Sequence, residues 1–241
     1  MEILTTDPLA QGLIAVIHKG DVEGLRKLFA EHPNISQARI VDTKGASRTL
    51  LHIATDWPGH FPNVAGIIAA LVEGGADPNA PMIGGNAEET PLHWAASSND
   101  VFALDALLDG GANIESPGAI FTNGTPMSDA VIFAQWNAAR RLLERGAKTT
   151  ITQAAALGLL DRVTACFEQD PHPVTDQITA ALWHGCRGGQ LQTVQYLVAQ
   201  GPHLNWVGWD HMTPLDCAHK SGNQELIAWL LERGAMRAQE F

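Results

Sequence analysis

Apolar positions along this chain fall into pairs of short segments at helical spacing, separated by polar and glycine-containing connections. The clearest pair is Thr90-Pro91-Leu92-His93-Trp94-Ala95-Ala96 followed by Leu107-Leu108-Asp109-Gly110-Gly111-Ala112-Asn113. The same grammar returns in Thr125-Pro126-Met127 with Leu142-Leu143-Glu144-Arg145-Gly146-Ala147, and in Thr213-Pro214-Leu215 with Leu230-Leu231-Glu232-Arg233-Gly234-Ala235. Segments this short do not hold a helix in water alone, because the first turn fixes several residues for one hydrogen bond. The pattern therefore predicts helices that are stable only when stacked on their neighbours.

Aligned on the Leu-Leu-x-x-Gly ending, repeat starts fall near Gln11, Thr49, Thr90, Thr125, Thr149, Ala180 and Thr213, with spacings of 38, 41, 35, 24, 31 and 33 residues. These scatter around the roughly 33 residues of one repeat architecture. On the Thr-Pro-Leu-His box and the Gly-Ala ending, the chain resembles the ankyrin repeat family over about residues 11–236, most clearly in repeats 3, 4 and 7. The resemblance implies an all-α solenoid of about seven stacked helix pairs with hairpin loops, and a single domain over residues 1–241. It also implies partner contacts at hairpin tips and at the exposed end of each first helix. Stand-alone bacterial proteins of this kind act as adaptors, inhibitors or secreted effectors.

The motif makes physical sense without the family. Thr90 can cap a helix through its hydroxyl, and Pro91 at the first helical position gives up no needed hydrogen bond. Gly75, Gly111, Gly146 and Gly234 suit a left-handed residue at the end of the second helix. Repeat 1, around Leu13 to Asp21, lacks the Thr-Pro start, as expected of a capping unit. His52 and His93 occupy the histidine of the box, where the resemblance implies structural hydrogen bonding.

Charge changes the picture next. The formal net charge is −11, and residues 49–139 contain ten carboxylates with no lysine or arginine. Such a field disfavours nucleic acid and would steer a basic partner, although a merely soluble acidic surface explains it equally well. No apolar run approaches a membrane span, and Met1–Asp7 lacks the basic and apolar regions of a signal peptide. Cys166, Cys186 and Cys217 sit where a small apolar residue would serve, which reads as a reducing compartment. A cytoplasmic monomer without cofactor is expected, with secretion as an effector left open.

Departures from the repeat are the candidate working parts. Repeat 2 has about five extra residues within Asp56 to Asn63, the connection from Pro78 to Glu89 is long, and Lys148 alone separates repeats 4 and 5. Drift in loop length would account for all three at modest cost. Candidate partner-binding residues are Phe121, Trp206, Trp209 and Asp210 at hairpins, with Trp57, Ile132, Phe133, Leu157 and Arg187 on or beside first helices. For Trp57 and Trp206 the preferred reading is that they fold back over neighbouring helices, whereas Phe133 and Trp209 read as binding residues. Trp94, Trp183 and Trp229 occupy core-like positions.

Other chemistry finds little support. His184, Cys186, Cys217 and His219 do not form a zinc set, because residues two apart on a helix point about 200° apart. No nucleophile elbow, phosphate-cradling loop or His-Glu-x-x-His sequence is present, and Cys217 reads as buried rather than as an activated thiol. The expected function is a non-catalytic protein-binding module using its concave face. The alternatives are a small-ligand or peptide-end pocket at the notch between repeats 4 and 5, walled by Ile132, Phe133, Trp136 and Leu157, and an end-to-end homo-oligomer through Trp229.

Overall fold

The paired segments form fourteen α-helices among residues 1–240, which the computed structural model describes. The chain divides into two compact units, one ending at Ala147 and the other beginning at Lys148.

The first unit runs β1 (Glu2–Leu4), α1 (Pro8–Lys19), α2 (Val22–Glu31), β2 (Arg39–Val41), β3 (Ser47–Thr49), α3 (Leu50–Thr55), α4 (Val64–Glu73), α5 (Pro91–Ser97), α6 (Val101–Asp109), α7 (Pro126–Ile132) and α8 (Trp136–Glu144). Successive first helices pack on one another, α1 on α3, α3 on α5 and α5 on α7, while second helices form a parallel row, α2 on α4 and α4 on α6. The apolar face of each helix enters that stack. Leu104 and Leu107 of α6 are fully buried, as are Ile67, Ile68 and Leu71 of α4. Each such side chain contributes roughly 1.5–3 kcal/mol relative to exposure.

The second unit contains α9 (Ile151–Leu157), α10 (Leu160–Phe167), α11 (Thr175–Arg187), α12 (Leu191–Val198), α13 (Pro214–Ser221) and α14 (Gln224–Leu231). Here α11 is central, packing against both α9 and α13. Its core holds Leu182, Trp183, Cys186, Leu215, Leu226 and Leu230.

The all-α solenoid is what the chain forms, with one addition and shifted helix starts. The addition is a small sheet in which β1 pairs parallel with β2 and β2 antiparallel with β3. Arg39 fastens it, its guanidinium donating to the Ser47 hydroxyl and to the Ser47 and Pro81 carbonyls. Helix α1 begins at Pro8, capped by the Asp7 carboxylate, not at Gln11. Helix α9 is capped by Thr150 rather than Thr149. Helix α11 starts at Thr175 instead of Ala180, because the Gln177 side chain accepts the Val174 N–H at 3.1 Å and so supplies a helix start without the Thr-Pro box.

The second helices end as anticipated, with Gly111 and Gly146 at φ of +94° and +97°. Nothing lies within 4 Å of a Cβ built on Gly111, so its backbone conformation and not its space demands glycine.

Candidate functional site

The histidine of the box determines how one repeat holds the next in the first unit. The Thr49 N–H donates to His52 Nδ1 and the Thr49 hydroxyl lies 2.8 Å from the same nitrogen. That makes Nδ1 the acceptor, so Nε2 carries the proton and donates 3.0 Å to the Glu89 carbonyl at the start of repeat 3. His93 repeats the arrangement with Thr90 and donates 3.3 Å to the Gly124 carbonyl. The Thr90 hydroxyl thus serves the imidazole ring at 2.9 Å rather than simply capping the helix. Burial pushes the His52 and His93 pKa values down to about 3 and about 4, so both rings are neutral and structural.

The extra residues of repeat 2 form a fastened loop. The Asp56 carboxylate accepts the Trp57 N–H at 2.9 Å and pairs with Arg48 at 2.7 Å. The His60 N–H donates 2.6 Å to Asp100, the His60 ring donates to the Ser98 carbonyl, and Phe61 stacks on His18 at 4.1 Å. Trp57 is thereby held at 83 % exposure, so it does not fold back over neighbouring helices. It forms one wall of a groove of about 200 Å³ whose other walls include Trp94, Ser97, Ile120 and Phe133. Phe121, also exposed, packs against Phe133 with ring centroids 5.9 Å apart. Ile132, next to Phe133 on α7, is half-buried, and so is Trp136 at the start of α8.

Two carboxylates, Asp56 and Glu89, line this groove, and a third, Asp129, is buried behind Glu89. Glu89 accepts the Trp94 indole N–H at 3.1 Å. Asp129 lies one helical turn before Phe133 on α7 and is completely buried. No donor reaches either of its carboxylate oxygens. The group facing it is Glu89, another acceptor, so their contact is a hydrogen bond only when a proton lies between them. Burial first, then the Glu89 charge and that contact, raise the Asp129 pKa to about 8. Sequence reasoning missed this triad of Trp94, Glu89 and Asp129, and assigned Trp94 to packing. The available signal was that Asp129 stands in its box where Trp94 stands in the preceding one, the one charged residue of its helix.

The rest of the acidic stretch is less bare than its composition suggests. Arg145 binds Asp105 at 2.9 Å and Asp109 at 2.6 Å, Arg141 binds Asp105 at 3.3 Å, and Arg26 binds Glu73 at 3.2 Å. These arginines come from outside residues 49–139. Such exposed pairs are each worth about 0.2–1 kcal/mol and mainly cancel local field.

In the second unit, four candidates meet. Trp209, 53 % exposed, sits edge-on to Trp183 at 5.3 Å and to Trp206 at 5.2 Å. Trp206 is half-buried against the core beneath, the covering role expected of it. The Arg187 guanidinium lies 5.3 Å from the Trp183 ring and 4.0 Å from the Asp210 carboxylate. Leu157, at the end of α9, is half-buried. Trp183 is wholly buried, whereas Trp229 is only partly so, with Arg233 over its ring at 3.6 Å. Burial drives the Cys217 thiol up to about 12 and raises Cys186 as well, which removes both as nucleophiles at neutral pH.

A repeated helix pair stacked through a Thr-His box and closed by a left-handed glycine defines a helical-repeat scaffold. Models of ankyrin repeats match at residues 151–237, in three copies, and at residues 88–116. The ankyrin repeat domain of human ASB11 is similar in structure, with a TM-score of 0.52 and 20 % identity over 90 % of this chain and 96 % of that one. No curated protein matches in sequence. The chain contains ankyrin repeats. Such repeats generally mediate protein–protein interaction and are typically non-catalytic. Among the described residues no helix is long and apolar enough to cross a membrane.

Proposed function

We propose that this protein is a non-catalytic interaction module, an adaptor or scaffold that binds another protein through inner-helix and hairpin residues of its repeats. The observation that carries this reading is the set of large aromatic side chains left exposed, above all Trp57, Phe121, Phe133 and Trp209. Tryptophan and arginine dominate interface hot spots, and a pre-ordered scaffold loses little entropy when it binds. The acid-lined groove favours a basic partner. The chain is taken to act as a cytoplasmic monomer in which residues 1–241 serve as one domain.

The test is affinity capture from native lysate, comparing the wild-type chain with a Phe133→Asp/Trp209→Ala variant whose fold is checked by circular dichroism. A protein recovered by the wild type and lost from the folded variant is the expected result. Identical recoveries from both baits would remove Phe133 and Trp209 as binding residues.

A further inference from the structure

The groove between α3, α5 and α7 has the chemistry of a receptor for one particular group. Its walls are the faces and edges of Trp57, Trp94 and Phe133. Its polar side carries Glu89, with Asp129 buried behind it and unreached by any donor. A buried carboxylate without a donor is costly, and aromatic faces are negative at their centres. Both features are complemented by a positive charge on an apolar stem.

The charged groups on the surrounding elements do not already supply that charge. On α3, His52 is neutral with both ring nitrogens engaged, and on α5 the same holds for His93. Arg48 of β3 is committed to Asp56 at 2.7 Å. Asp100, before α6, is buried and accepts from the His60 and Ala103 N–H groups. On α8, Arg141 and Arg145 bind Asp105, Asp109 and Glu144.

Building on the interaction reading above, we propose that this groove takes the cationic side chain of a lysine or arginine presented by the partner polypeptide. The charged head bonds Glu89, the groove-lining member of the pair it forms with buried Asp129, and the aliphatic stem lies between Trp57, Trp94 and Phe133. No covalent step is involved. The entering cation displaces the proton that otherwise lies between the two carboxylates, and that proton goes to solvent. Binding therefore strengthens as pH rises through the range in which Asp129 titrates, while lysine and arginine stay charged.

The Trp94 indole N–H, bonded to Glu89, is a built-in reporter. The experiment titrates the full-length, nitrogen-15-labelled chain with the capped peptide acetyl-Gly-Gly-Lys-Gly-Gly-amide, its arginine counterpart, and a norleucine control of the same length. The expected result is a saturable shift of the Trp94 indole signal with lysine or arginine and not with norleucine. The affinity should be about tenfold greater at pH 8.5 than at pH 6.5. Glu89→Gln should weaken binding by about tenfold or more, and Asp129→Asn should retain binding but lose its pH dependence.

Equal response to norleucine would make the groove merely apolar and overturn the proposal, as would the absence of any Trp94 shift at millimolar peptide. Tighter binding of n-butylammonium than of the lysine peptide would overturn the polypeptide assignment. The interaction reading itself fails by a different route, namely recovery of the same proteins by the wild-type and Phe133→Asp/Trp209→Ala baits.

Discussion

Asp129→Asn is the substitution that most directly questions how the first unit tolerates a buried acid. The carboxyl has an ordinary pKa of 3.8, raised to about 8 in the folded chain by burial and then by Glu89. Between those values the folded state holds a proton that the unfolded state has released, so stability falls as pH rises. The penalty is absent below about pH 4 and fully established above about pH 8.

Each pH unit is worth about 1.4 kcal/mol, so the three units from 3.8 to 7 set a ceiling of about 4 kcal/mol at neutral pH. Because the proton belongs to a pair of carboxylates, the realised figure is expected at about 2–4 kcal/mol. Asparagine keeps the shape, needs no proton, and can donate its amide N–H to Glu89 as the protonated acid does. The variant should therefore be more stable than the wild type by about that amount at pH 7. That is a large share of the roughly 5–15 kcal/mol that holds a typical domain.

Urea unfolding followed by far-ultraviolet circular dichroism at pH 4, 5.5 and 7 measures the difference directly. It should be near zero at pH 4 and grow towards neutrality. A variant no more stable than the wild type at pH 7, with an unchanged pH profile, would refute the reasoning.

The remaining predictions use the same fold. His52, His93 and His184 are held neutral by burial, with pKa values of about 3, about 4 and about 4, so the unfolded chain binds protons below pH 6.5 that the folded chain excludes. In the Asp129→Asn background, where the opposing term is gone, stability should fall steadily from pH 6.5 to pH 4; a flat profile there would contradict the buried-neutral assignment. His93→Ala should cost about 2–4 kcal/mol by denaturant unfolding, because it strips partners from the Thr90 N–H and the Gly124 carbonyl and leaves a void. Gly111→Ala should cost about 1–2 kcal/mol from its left-handed backbone alone, and a neutral effect would show that the turn can relax.

The repeat was legible in the sequence because it rests on local physics. Pro91 at a first helical position, Gly111 after a second helix and small alanines facing the neighbouring helix each act within a few residues, so their order along the chain displays them. The histidine role was legible for the same reason, since Thr49 and His52 lie one turn apart. The start of α11 was not, because a Gln177–Val174 bond replaces the box that marks the other helices.

The site belongs to the tertiary structure. Trp57 stands out because its loop is tied to His18 on one side and to Ser98 and Asp100 on the other, contacts that span some 40 residues of chain. The pairing of Asp129 with Glu89 joins different repeats, and its proton exists only because stacking excludes water and every donor. Composition counted ten acids in that stretch as alike. Folding distinguished them, giving arginine partners to Asp105 and Asp109 while leaving Asp129 to share a proton, because burial and neighbouring charge are properties of position in space.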